Sequence, residues 1–379
     1  MKWQLQSRQG WPNHSQRLIL RAALLDGDTA LDAWQRWNRQ NEIEAIDTAS
    51  FFILPQVYLS LKKFDNDVPK LGRLKGVYRW TWSQNQLTLG GLIEVLRLFE
   101  ERQRSAIVLK GVPLALQYYR DLGARMMKDA DLLVDVQDLP KVIADLGEIS
   151  WRQEKPRAPD HLMPFLEGLH FTHPQWNRVD IQWRPFRLDT PPSAERGLWN
   201  RSQDDAIRGV STRVPSATDL LLLTCFHGRK SDIHSTCRWI VDAMVLLRES
   251  HRSIDWDQLL EWTRQLGLLL PVRDALSYLH GEFAAPIPTD TLEHAWSLPT
   301  CRTDEDRYDQ MIQHGLQPSI RGVVEEHWAR YGDVCRLREW DADMLGFLRY
   351  FLSHCRREIR SGSARDLTKR FLGGRRSLS

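Results

Sequence analysis

The chain has 379 residues, 42% of them hydrophobic and 27% charged, with a formal net charge of +3. Those proportions are those of soluble globular proteins and exclude a disordered or fibrous chain, while the length allows two or three domains, or one core with helical extensions. A balance this close to neutral gives no argument for nucleic acid as a partner. The basic cluster Arg356, Arg357, Arg360, Arg365, Lys369, Arg370, Arg375 and Arg376 reads as a solvated, partly frayed tail.

Residues 1–104 are expected to form an N-terminal helical region. It begins at a cap, Ser15, and carries Leu18, Ile19, Ala22 and Ala23, then Leu31, Trp34 and Trp37, then Leu92, Val95, Leu96 and Phe99 at helical spacing. The N-terminus has no apolar segment and the longest aliphatic run is Leu220 to Leu223, so neither a signal peptide nor a membrane span is expected. The pattern changes at Ser105. Ala106-Ile107-Val108-Leu109 is an apolar run fit for a buried strand; Lys110-Gly111 turns the chain, and Pro113 opens a helix running toward Gly123. A second strand is predicted over 130–136, a short helix over 139–146 and a third strand over 178–184, which ends at Pro185. Residues 105–190 thus read as an α/β core. Residues 191–379 read as a second helical region with a basic tail: Ser216 and Asp219 resemble a capping box, and further helices cover 220–226 and 238–249. The fold class is α+β, a small mixed sheet with helices on one side. Cys225, Cys237, Cys301, Cys335 and Cys355 have no paired metal spacing and read as reduced thiols, which points to the cytoplasm. The sixteen tryptophans read as helix-packing anchors.

Chemistry concentrates around the first turn. In Arg125-Met126-Met127-Lys128-Asp129-Ala130-Asp131-Leu132-Leu133-Val134, Asp129 and Asp131 stand at alternate strand positions and so share one face. Five other Asp-x-Asp triplets occur, so spacing alone selects nothing. The preceding strand, the glycine turn and Asp180 on the third strand do. Three carboxylates on neighbouring strands suit hard divalent cations, magnesium or manganese, with Asp180 also helping to deprotonate an acceptor hydroxyl. Lys110 is either a phosphate ligand or a solvated strand end. Arg125 and Lys128 either receive a triphosphate or balance the acids. His227 either serves a nucleotide or complements a helix terminus. Arg238 and Asp242 lie four apart on one helical face, which favours a salt bridge over a role in orienting nucleotide.

These motifs, together with Val179-Asp180-Ile181-Gln182-Trp183-Arg184, His227 and Arg238-Trp239-Ile240-Val241-Asp242, resemble the bacterial uncharacterised nucleotidyltransferases, a branch of the DNA polymerase beta-like nucleotidyltransferase superfamily, over roughly residues 15–250. The resemblance implies magnesium-dependent transfer of a nucleoside monophosphate from a triphosphate such as ATP to an acceptor hydroxyl, with release of pyrophosphate. Asp129, Asp131 and Asp180 would be the metal ligands, and Lys110, Gly111, Arg125, Lys128, His227 and Arg238 would be nucleotide contacts. A peptide or small-molecule acceptor is implied by the same resemblance. The superfamily carries glycine-serine or glycine-glycine at the turn where this chain has Lys110-Gly111-Val112, and its relatives often have histidine at the position of Gln182. The missing glycine-serine pair, together with the large helical surroundings, motivates an alternative, a scaffold of the same fold that binds a partner protein or peptide.

Overall fold

The computed structural model describes residues 10–186, 190, 192–229, 237–316 and 320–360. The expected frayed basic tail is described only at its start, where Arg356 and Arg357 lie on helix Met344–Arg360 and Arg357 is buried; the tail beyond Arg360 and part of the proline-rich 190–193 segment lie outside the described residues. Among the described residues, no helix is long and apolar enough to cross a membrane, and none of the five cysteines is in a disulfide.

A helical preface leads into the sheet through the long helix Leu71–Glu101. The first helix, His14–Leu24, is capped by Asn13 rather than Ser15: the Asn13 side chain accepts from the Gln16 backbone N–H, and the Gln16 side chain accepts from the Asn13 N–H, a reciprocal capping box. The chain then contributes β1 (Ala106–Leu109), β2 (Asp129–Val134), β3 (Arg152–Gln153), β4 (Gly168–Thr172), β5 (Arg178–Gln182), β6 (Gln203–Ile207) and β7 (Val210–Val214). They form one mixed seven-stranded sheet in the order β3-β4-β5-β2-β1-β7-β6. β2 runs antiparallel to β1 and parallel to β5, while β1 is parallel to β7.

The three predicted strands occupy the middle of this sheet. The second starts and ends earlier than expected, at Asp129 and Val134, and the third stops at Gln182. The flanking strands come from segments the pattern left as loop or helical region, so the sheet continues past residue 190. The β6–β7 hairpin was hidden by its composition. Its edge position leaves most side chains exposed or half-exposed, and only Ile207, Val210 and Val214 are buried. Its turn needs positive φ at both central residues, and Arg208 (+49°) and Gly209 (+83°) supply them.

Helices cover both faces of the sheet, not one. Ile107, Leu109 and Leu133 pack into a core shared with helices His14–Leu24, Ala217–Arg229 and Arg238–Ser250. Their alternate neighbours Ala106, Val108, Ala130, Leu132 and Val134 pack the other way, with Val179, Ile181, Leu169 and Phe171, against the end of helix Leu71–Glu101 and helix Leu139–Glu148. Two late helices, Ile320–Leu337 and Met344–Arg360, join this second core through Tyr331, Val334, Phe347 and Tyr350.

Candidate active site

Strand register builds the acidic face. The parallel β2–β5 pairing sets Asp131 opposite Asp180 and Asp129 opposite Arg178, and the β4–β5 pairing sets His170 opposite Asp180. Directly opposed residues project to the same side of a sheet, so Asp129, Asp131, Asp180, Arg178 and His170 share one face. Asp131 and Asp180 are 7% and 5% exposed.

Basic side chains meet every one of these acids. Lys110 Nζ donates to Asp131 Oδ1 at 2.9 Å and to Gln182 Oε1 at 3.1 Å, and Gln182 Nε2 donates to the same Asp131 oxygen at 2.5 Å. Arg178 spans two acids, with Nη2 at 2.6 Å from Asp129 Oδ2 and Nε at 3.0 Å from Asp180 Oδ1. His170 Nδ1 stands 2.7 Å from that Asp180 oxygen. Neither of these two contacts has hydrogen-bond alignment, and Asp180 Oδ1 is a buried acceptor without a directed donor. Burial pushes the Asp131 carboxyl above the usual carboxylate range, and Asp129 and Asp180 add to this while Lys110 opposes it. For Asp129 burial acts in the same direction, but Arg178, helped by Arg238 and Lys110, outweighs it and holds the carboxyl below its ordinary value.

The turn that carries Lys110 is strained. Lys110 has φ +52° and ψ −106°, a region that costs a non-glycine residue on the order of 1–3 kcal/mol. This is how β1 reverses directly into the helical turn Gly111–Pro113 while the ammonium reaches Asp131. Gly111 is needed for close approach, since a Cβ there would lie 2.7 Å from Arg125 Nη1. Arg125 forms a buried two-pronged pair with Asp242, Nε to Oδ1 at 2.8 Å and Nη2 to Oδ2 at 2.9 Å, and the Tyr119 hydroxyl donates to Oδ1 at 2.8 Å. The expected Arg238–Asp242 bridge is therefore replaced. Asp242 has both oxygens committed to helix-remote partners, and Arg238 donates instead to the Met126 carbonyl at 3.3 Å and lies over the Phe52 ring. Lys128 is exposed, its ammonium 4.5 Å from the centre of that same ring.

A cavity of about 310 Å³ opens beside the acids. Lys110, Asp180 and His227 line it, along with Gln182 and His170; His227 Nε2 is 3.0 Å from the Pro185 carbonyl. Asp129, Asp131, Gly111, Arg125, Lys128 and Arg238 are not among its lining residues. The lining also includes residues that sequence reasoning missed: Lys155, Arg184, Arg330, His354 and Arg357. His170 left a usable signal, the alternation of Leu169, His170 and Phe171. Arg330, His354 and Arg357 left none, because their place depends on how the last two helices pack.

Among the described residues no three His, Cys, Asp or Glu side chains stand in metal-holding geometry, the acids being paired with Lys110 and Arg178 instead. In donor type alone, carboxylate oxygens are what a hard divalent cation takes, and three carboxylates share this face, with Asp180 Oδ1 buried and lacking a directed donor. Acids on adjacent central strands, beside a strand–glycine–helix turn in a mixed sheet, define a nucleotidyltransferase-like α+β core. The chain belongs to the uncharacterised nucleotidyltransferase family, whose model matches residues 52–283, well over half its length. That stretch starts later and ends later than the resemblance read from the motifs. No curated protein matches the chain.

Proposed function

We propose that this nucleotidyltransferase moves a nucleoside monophosphate from a nucleoside triphosphate to an acceptor hydroxyl, using magnesium or manganese held by Asp129, Asp131 and Asp180. The observation that carries the reading is the in-register pairing of Asp131 with Asp180 on adjacent central strands, both buried and both facing the side where Lys110 sits. Asp180 borders the cavity, so it is the group placed to take the proton of the acceptor hydroxyl, with His170 in contact behind it. The acceptor oxygen bonds to the α-phosphorus as the bond to the pyrophosphate oxygen breaks. A bound divalent cation would supply neutralisation of the charge on the phosphates. Lys110, its ammonium 2.9 Å from Asp131, is suited to meet the triphosphate, replacing the hydroxyl that the turn lacks. His227 lines the same cavity, whereas Arg125 acts by holding the turn rather than by touching the nucleotide.

The test is pyrophosphate release and retention of labelled nucleotide with each of the four triphosphates and either metal. Asp131→Asn and Asp180→Asn should each lower turnover by roughly 10²-fold or more while the protein stays folded. Nucleotide binding that is indifferent to both substitutions and to chelator would overturn the proposal. One observation favours the second reading, a scaffold that binds a protein or peptide: every acid of the face already has a Lys or Arg side chain within ion-pair distance, Lys110 for Asp131 and Arg178 for Asp129 and Asp180. That reading predicts no metal-dependent nucleotide binding in the unaltered chain.

A further inference from the structure

The cavity beside Asp180 is closed by residues outside the matched 52–283 stretch. Arg330 comes from helix Ile320–Leu337, and His354 and Arg357 come from helix Met344–Arg360. With Lys155, Lys110 and Arg184 they bring five Lys or Arg side chains to the lining, against two acids, Glu167 and Asp180. The two guanidiniums of the late helices are fixed in place by backbone carbonyls. Arg330 donates twice to Phe165 O, at 3.1 and 2.8 Å, and Arg357 donates to Pro156 O at 3.0 Å. Those bonds orient the forks, and Arg330 Nη2 also lies 4.0 Å from Glu167 Oε1. Burial first, then Arg330, Lys155 and Arg357, push the His354 imidazole down to about 4, as a surplus of positive charge would.

We propose that helices Ile320–Leu337 and Met344–Arg360 complete an anion subsite in which Lys155, Arg330 and Arg357 clamp a phosphate group of the substrate against the Asp180 side of the cavity. Phosphate is the chemistry that fits. Several oxygens on one centre can each meet a separate donor, which suits converging guanidinium forks better than a single carboxylate does. A volume of about 310 Å³ holds a small group or a short phosphate chain, not a nucleic-acid strand. The phosphate belongs either to the triphosphate donor or to a phosphorylated acceptor. The cavity borders Asp180 but not Asp129 or Asp131, which places it on the acceptor side of the proposed reaction. The inference rests on that reading only for the word substrate.

The test uses the full chain in chelator, so that no metal contributes, with inorganic phosphate and pyrophosphate as calorimetric probes. Lys155→Gln and Arg357→Gln should each weaken pyrophosphate binding by about tenfold or more, and Arg357→Lys should restore part of it. Lys155→Gln is the safeguard against misfolding, because Lys155 is on a partly exposed loop. If both Gln variants also weaken nucleoside triphosphate binding, the donor is the source of the phosphate; if they leave it unchanged, the acceptor is. Absence of pyrophosphate binding in the unaltered chain, or binding unchanged in both folded Gln variants, overturns the subsite. Loss of metal-dependent turnover with pyrophosphate binding intact overturns the proposed reaction alone.

Discussion

Asp242 and Arg125 are 4% and 5% exposed and pair through two bonds, with Tyr119 donating to the second lone pair of Asp242 Oδ1. Burial, then the neighbouring Asp242 carboxylate, drives the Tyr119 hydroxyl well above its ordinary value, so it is a neutral donor near pH 7. Removing one member of such a pair strands the other charge in a low-dielectric interior. Asp242→Ala is expected to cost about 3–5 kcal/mol in urea unfolding, and Arg125→Met with Asp242→Leu to recover much of that loss. A single-variant cost below about 1 kcal/mol would mean that water already reaches the pair. The residue types were visible in the sequence, but the partner was not. Arg238 and Asp242 have the right helical spacing, yet spacing along one helix carries no information about an arginine 117 positions earlier that offers two aligned donors.

At the scale of elements, the predicted strand–turn–helix–strand order is present because its signals are local: an apolar four-residue run, a glycine, a proline in the first turn. The edge strands escaped notice because strands exposed on one side need few apolar residues, and β6 and β7 bury only three between them. The late helices fall within the region expected to be helical, but the end of the last one was read as frayed tail, and nothing marked either as a wall of the cavity. The two helices are joined by aromatics: Phe347 sits with its ring centre 4.8 Å from that of Trp328 and 5.9 Å from that of Tyr331, and both helices meet Phe165, ahead of β4, through Tyr331 and Tyr350 at 5.7 and 4.4 Å. Phe347 is 5% exposed. Phe347→Ala should therefore cost about 3 kcal/mol and loosen the helix that carries His354 and Arg357. Hydrogen exchange confined to helix Met344–Arg360 would report the loosening, and unchanged protection there would show that the helix is held by other contacts.

For the molecule as a whole, the acidic limb of the stability curve should depend on His354. Its imidazole faces Lys155, Arg330 and Arg357, and its ring packs on His327, while Ser353 beside it meets His161. Held at about 4 when folded against an ordinary value near 6.5, it is neutral where the unfolded chain is protonated. Stability it contributes is present above pH 6.5 and is lost as pH falls toward 4, by at most about 3 kcal/mol. Glu195 acts with the opposite sign over much of this window, because burial holds its carboxyl at about 7 and the folded state keeps the proton. The measurement is accordingly a difference: His354→Gln should flatten the fall in unfolding free energy between pH 7 and pH 4.5 relative to the unaltered chain. Parallel curves would show that the imidazole is not the group being titrated.

The ion pairs of Lys110 and Arg178 give the acidic face a property that no single residue has. A lone cation entering there would compete with an ammonium and a guanidinium for the same oxygens, and a lone polyphosphate would compete with the carboxylates for the same nitrogens. Arriving together, each ligand takes the partner that the other releases, so each raises the affinity for the other by one and the same factor. On the proposed reading, the acidic face at rest is the closed half of a double exchange, weak toward either ligand alone and receptive to the two combined, while the cavity lined by Lys155, Arg330 and Arg357 takes its anion without metal.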